Sequence, residues 1–81
     1  MADAHDTTTL EGWLAAFADA TGTAAPSDDE VAQLLDLARH AAHRAVRPTA
    51  PLACFLAGRS GRPVAELLAL VEADPRLHAA D

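Results

Sequence analysis

Apolar positions along the chain recur at helical spacing in four separate stretches. Leu10, Trp13, Leu14 and Phe17 stand at i, i+3, i+4 and i+7, behind a Thr8/Glu11 pair with the spacing of a capping box. Gly22 supplies a left-handed exit and Pro26 closes the linker, so the pattern predicts a helix over 9–20. Ser27 and Glu30 repeat the capping-box spacing, with Asp28 and Asp29 in a first turn whose free N–H groups favour negative charge. Val31, Leu34, Leu35, Ala38, Ala42 and Ala45 then share one face, which predicts a second helix over 28–46, stopped by Pro48. In the third stretch Thr49 is a reasonable N-cap and Pro51 suits a first turn. Leu52, Phe55 and Leu56, with Ala53, Cys54 and Ala57, make a helix over 50–57 that is apolar nearly all round and is expected to be central and buried. Gly58 and Gly61 bracket an expected loop, GRSGR. Pro63 opens a helix over 63–73 with Val64, Leu67, Leu68 and Val71 on one face, and Asp74-Pro75 sets a last turn containing Leu77.

Four helices with short connections predict an all-α fold, a small four-helix bundle. The expected organisation is a disordered lead-in over 1–7 and one helical domain over 8–81.

Composition sharpens this picture. With 51% apolar residues but one Trp, two Phe and no Tyr, the interior of these 81 residues must come from Leu, Val and closely approaching Ala. A chain this short buries only about 60% of the surface it exposes when unfolded, so a homodimer is a natural supplement. Cys54 is the only cysteine, which excludes an internal disulfide and a thiolate metal cage. The N-terminus has no signal-peptide pattern and no apolar run reaches the length of a membrane span, so the expected address is cytoplasmic, with no membrane role. A net charge of −6 argues against nucleic acid as a partner.

The charge is segregated. Residues 1–36 hold eight acids and no base, whereas 37–62 hold Arg39, Arg44, Arg47, Arg59 and Arg62 and no acid. Guanidinium suits bidentate capture of carboxylate or phosphate, so an outward arginine patch meeting an acidic partner is one expectation. The plainer one is that these arginines pair with acids of their own chain.

No constellation here points to catalysis. Asp36, His40, His43 and Arg47 fall on one polar arc of the second helix. Two histidines and a carboxylate are ordinary metal ligands, yet the flanking arginines oppose a cation, and an Asp36–His40 helix pair is the expected arrangement. GRSGR lacks the spacing and the preceding strand of a phosphate loop, and Ser60 has no general-base partner. Cys54, inside the most apolar helix, is expected to be inert, and Trp13 to be a core anchor. No cofactor, metal ligand or catalytic residue is expected.

The run LLDLARHAAHRAVRPTAPLACFLAG, with LEGWLAAF upstream, resembles a small actinobacterial domain family of unknown function. The resemblance covers residues 10–72 and is specific at 34–39, 43, 47–52 and 55–58. Its motif side chains here are Trp13, Asp36, Arg39, His43, Arg47, Pro48, Pro51 and Leu52. The family is similar to domains fused to, or encoded beside, nucleotidyltransferase-like proteins of molybdenum-cofactor biosynthesis. The resemblance therefore implies a non-enzymatic accessory domain in that setting, acting in trans on a protein partner such as the nucleotidyltransferase. Asp36, Arg39, His43, Arg47, Arg59 and Arg62 are the expected contact residues. Two alternatives stand beside this: a binder of a small phosphate-bearing ligand, nucleotide or pterin, held by Arg47, Arg59, Arg62 and His43, and a purely structural homodimer.

Overall fold

The computed structural model describes residues 6–78. They form α1 (Leu10–Thr21), α2 (Asp28–Arg44), α3 (Thr49–Ser60) and α4 (Val64–Ala73), then a 3-10 turn at Pro75–Leu77. Among the described residues there is no strand, and the fold is all-α with four helices and short connections, as the sequence pattern predicts. Most of the lead-in expected over 1–7 lies outside the described residues.

The helix ends show which local signals decide. At α1 the cap is Thr9, whose hydroxyl accepts from the Gly12 N–H at 3.0 Å. The expected Thr8 instead turns back, donating its backbone N–H (3.0 Å) and its hydroxyl (2.6 Å) to Asp6 Oδ1, which holds the Asp6 carboxyl below its ordinary range. The turn from Asp6 to Thr9 lies directly over Gly12, where a Cβ would come within 1.8 Å of the Asp6 carbonyl oxygen. Only a residue without a side chain fits beneath that crossing.

Both halves of the capping box at α2 form: Glu30 N–H donates to Ser27 Oγ at 3.1 Å and Ser27 N–H to Glu30 Oε1 at 2.9 Å. α2 ends at Arg44, two residues short of the expected limit. Pro48 accounts for this, because its ring would clash with the carbonyl four residues back, which is that of Arg44. α3 overruns its expected limit. Gly58, Arg59 and Ser60 are helical rather than a loop, and the helix exits at Gly61, whose φ of 70° is the left-handed conformation that favours glycine. Thr49 is its first residue rather than its N-cap; Pro51 falls in the first turn, where a missing N–H costs nothing.

α4 stops at Asp74. That carboxylate accepts from the Arg76 backbone N–H at 3.0 Å and from its guanidinium at 2.6–3.2 Å. These bonds, the side-chain ones first, pull the Asp74 pKa down to about 2. A carboxyl with a depressed folded pKa stabilises the folded turn above its unfolded pKa near 3.8 and loses that contribution as pH falls toward 2. Acid titration followed by NMR should therefore give an Asp74 midpoint near 2, with the 75–77 turn loosening only below about pH 4; Asp74→Asn should abolish that pH dependence.

Packing is uneven. α3 and α4 both lie on α2, and each packs on α2 more than on the other. α1 makes only marginal contact with the rest of the fold, leaning toward the first turns of α2 across a hollow lined by Leu10, Leu14, Pro26, Val31 and Leu35. Among the described residues only Ala18, Leu37 and Ala57 are buried. Leu37 was not on the expected stripe of α2, and Leu35, which was, is exposed. The packed face of α2 is turned because two helices, not one, sit on it. α3 is correspondingly not the buried central helix its composition predicts: Leu52, Phe55 and Leu56 are each about 60% exposed.

Candidate docking surfaces

Because α3 and α4 splay apart on α2, a groove of about 500 Å³ opens between them. Leu37 and Ala41 of α2 form its floor, Leu52 and Leu56 one wall, and Leu67 and Leu70 the other. The lining is overwhelmingly apolar, yet Leu52, Leu56, Leu70 and Leu77 all remain exposed to water. One end of the groove is polar. There Arg44, half-buried, donates to the Val71 carbonyl and to Glu72 Oε1, both at 3.4 Å. His40 Nε2 lies 3.9 Å from Glu72 Oε2, Arg76 holds Asp74, and a ring nitrogen of His78 meets the Glu72 carbonyl at 2.9 Å.

A second apolar surface lies on α1. Trp13 and Phe17, four residues apart, stack with ring centroids 5.0 Å apart and planes at 21°, and both are about half exposed. Trp13 is thus a surface residue and not the core anchor expected of it. The reason is tertiary: no other helix covers the outer face of α1.

The residues singled out by sequence do not gather into one patch. Asp36 pairs with Arg39, and its other oxygen lies 3.8 Å from His40 Nε2, so the expected Asp36–His40 helix pair is present. Arg39 and His43 are exposed on α2, and Arg47 is exposed in the turn before α3. Neither His43 nor Arg47 has an ion-pair partner among the described residues. Arg59 and Arg62 lie at the far end of α3, whose twelve residues span about 18 Å. There Arg59 sits over the Phe55 ring at 4.4 Å and Arg62 pairs with Glu66 at 3.4 Å. The single arginine patch expected from the charge pattern is therefore divided by the length of α3. For the same reason Arg47, Arg59 and Arg62 do not surround one phosphate.

Other chemistry-bearing residues have structural roles. Ser60 Oγ donates to the Ala57 carbonyl at 2.7 Å and accepts from Arg62 N–H at 3.2 Å, securing the exit from α3. Cys54 points at the Leu34 carbonyl, 4.0 Å away, and burial pushes its thiol pKa up, away from the reactive thiolate. Among the described residues no three His, Cys, Asp or Glu side chains come together as a metal site, and no helix is long and apolar enough to cross a membrane.

Fold and surface together define a small all-α domain whose apolar residues are shared between a thin core and two open faces. The chain belongs to a family defined as a domain of unknown function (DUF6457), whose model matches residues 5–77. No curated protein and no solved structure matches it.

Proposed function

We propose that this domain is a non-enzymatic accessory module that docks an acidic protein surface through the outer side of the α2 C-terminal half. The observation that carries the reading is the exposure of Arg39, His43 and Arg47 on and just beyond that half, with His43 and Arg47 free of ion pairs among the described residues. Arg39 is held by Asp36, which fixes its guanidinium near the site while leaving it 61% exposed. The unpaired Arg47 guanidinium on a chain of net charge −6 is a local exception to its overall field and would steer an acidic surface to one place, with the exposed His43 ring beside it as a hydrogen-bonding group.

The setting we propose is cytoplasmic molybdenum-cofactor maturation in an actinobacterium, with a nucleotidyltransferase of that pathway as the partner. Its support is the resemblance carried by Asp36, Arg39, His43, Arg47 and the proline turn after them. The test is co-purification with a molybdenum-cofactor nucleotidyltransferase, followed by calorimetry at several salt concentrations. Binding should weaken as salt rises, and Arg47→Glu with His43→Ala should reduce affinity at least tenfold while helicity is unchanged. Undiminished binding by that double variant refutes the surface; absence of binding by the native chain refutes the partner.

A further inference from the structure

We infer that α1 and the N-terminal half of α2 together form a docking site for a basic amphipathic helix of a partner protein. The site lies at the other end of α2 from Arg39, His43 and Arg47, attracts the opposite charge, and does not depend on the proposed function.

The centre of the site is apolar. α1 leans across the first turns of α2 without closing on them, and the hollow left between the two, about 500 Å³, is lined by Leu10 and Leu14 of α1 and by Val31, Ala32 and Leu35 of α2. Leu35 is 58% exposed there. At about 100° per residue Leu35 stands 200° round the helix from Leu37, so this face of α2 is opposite the one that α3 and α4 cover. The apolar surface runs on along α1, because Trp13 and Phe17 share a helix face with Leu10 and Leu14, and their stacked rings are half exposed. With twelve residues α1 is about 18 Å long, enough to seat three turns of another helix.

Charge selects the occupant. Glu11 of α1 and Asp28 of α2 also line the hollow, one from each helix, and neither carboxylate has an ion-pair partner among the described residues. Other acids of this region are engaged, Asp6 by Thr8, Glu30 by Ser27 and Asp36 by Arg39. No arginine or lysine precedes Arg39 in the chain to neutralise the two that line the hollow. The same surface of a second copy would set carboxylate against carboxylate, and an anionic lipid surface would be repelled.

A basic helix satisfies both features. Its apolar side chains fill the hollow, while its Lys or Arg stems lie along Leu35 and the aromatic pair and carry their charged heads to Glu11 and Asp28. Trp13 contributes a ring face that itself attracts cations.

The probe is a synthetic amphipathic helix of leucine and lysine, with a leucine–glutamate helix of the same pattern as its counterpart. Titrated into the full chain, the lysine peptide should bind and shift the emission of Trp13, the only tryptophan, to the blue; the glutamate peptide should not bind. Glu11→Gln with Asp28→Asn should weaken binding about tenfold, since two exposed ion pairs are lost. Asp19→Asn with Asp29→Asn removes the same charge outside the hollow and should change affinity by less than about twofold.

Leu35→Asp separates an apolar site from a mere electrostatic field. It adds a carboxylate to the hollow, so attraction by charge alone predicts tighter binding, whereas loss of the apolar contact should weaken it about tenfold. Helicity should be unchanged because Leu35 is exposed, and Leu10→Asp, also about half exposed, is the second variant should helicity fall. Tighter binding by Leu35→Asp, equal losses in the two charge-neutralised pairs, or equal affinity for both peptides overturns the proposal. So does a native chain that binds neither peptide, or one that sediments as a dimer which Leu35→Asp dissociates, since a second copy then fills the hollow. None of these outcomes involves Arg47 or His43, so failure here and failure of the proposed function are separable.

Discussion

Leu37→Ala should be the most damaging conservative truncation in the chain, lowering stability by about 2–4 kcal/mol. Among the described residues Leu37 is the only large apolar side chain that is buried, at 6% exposure, and it lies on α2 beneath both α3 and α4. Removing it deletes contacts to two helices at once. The flanking small residues Ala41 and Ala57 cannot move in to fill the space without shifting whole helices. In a domain of this size each kcal/mol corresponds to about 4–8 °C in Tm, so the variant should melt at least about 10 °C below the native chain. Thermal unfolding followed by circular dichroism at one fixed protein concentration measures it. A shift of only a degree or two would mean that Leu37 is not the keystone of the three-helix packing. By contrast, Leu35→Ala, on the same helix but 58% exposed, should cost only a small fraction of that.

Two glycines three residues apart should respond to alanine with opposite signs. Gly61→Ala should destabilise by about 1–2 kcal/mol, because Gly61 has φ of 70° and an L-residue there brings Cβ against its own backbone. No neighbouring atom lies within 4 Å of the Cβ position, so the whole cost is conformational. Gly58→Ala should instead stabilise by about 0.5–1 kcal/mol. Gly58 is inside α3, its Cβ position is equally open, and alanine restricts the unfolded chain while losing nothing in the helix. Denaturant unfolding of the two variants side by side decides the matter. Equal signs would place the end of α3 at Gly58, where the sequence pattern alone puts it.

The GRSGR segment shows where reading along the chain stops. Two glycines bracketing a polar pair have the composition of a loop, and local propensity gives no reason to continue a helix through the first. α3 continues through three exposed residues that are tied to the turn behind them, Arg59 lying over the Phe55 ring and Ser60 Oγ donating to the Ala57 carbonyl, before Gly61 takes the left-handed exit. The Thr8/Thr9 displacement is smaller and purely local. Two adjacent threonines are both competent caps, and Asp6 decides between them by engaging Thr8.

Sequence by itself determined the number, order and approximate limits of the helices, the capping box at Ser27, the left-handed exit at Gly22 and the final turn at Asp74, because each depends on residues within four positions of one another. It also showed that acids and arginines occupy separate stretches. Only the tertiary structure decided which apolar residues are covered. Periodicity says that a helix has an apolar face but not whether another helix reaches it, and here α3 and α4 turn α2 onto Leu37 while leaving Trp13, Phe17, Leu52 and Leu56 in water. The arginine cluster dissolved for the same reason. Residues close along the chain are carried apart when the helix between them runs its full length, and α3, about 18 Å long, puts Arg47 before its first turn and Arg59 and Arg62 at its other end.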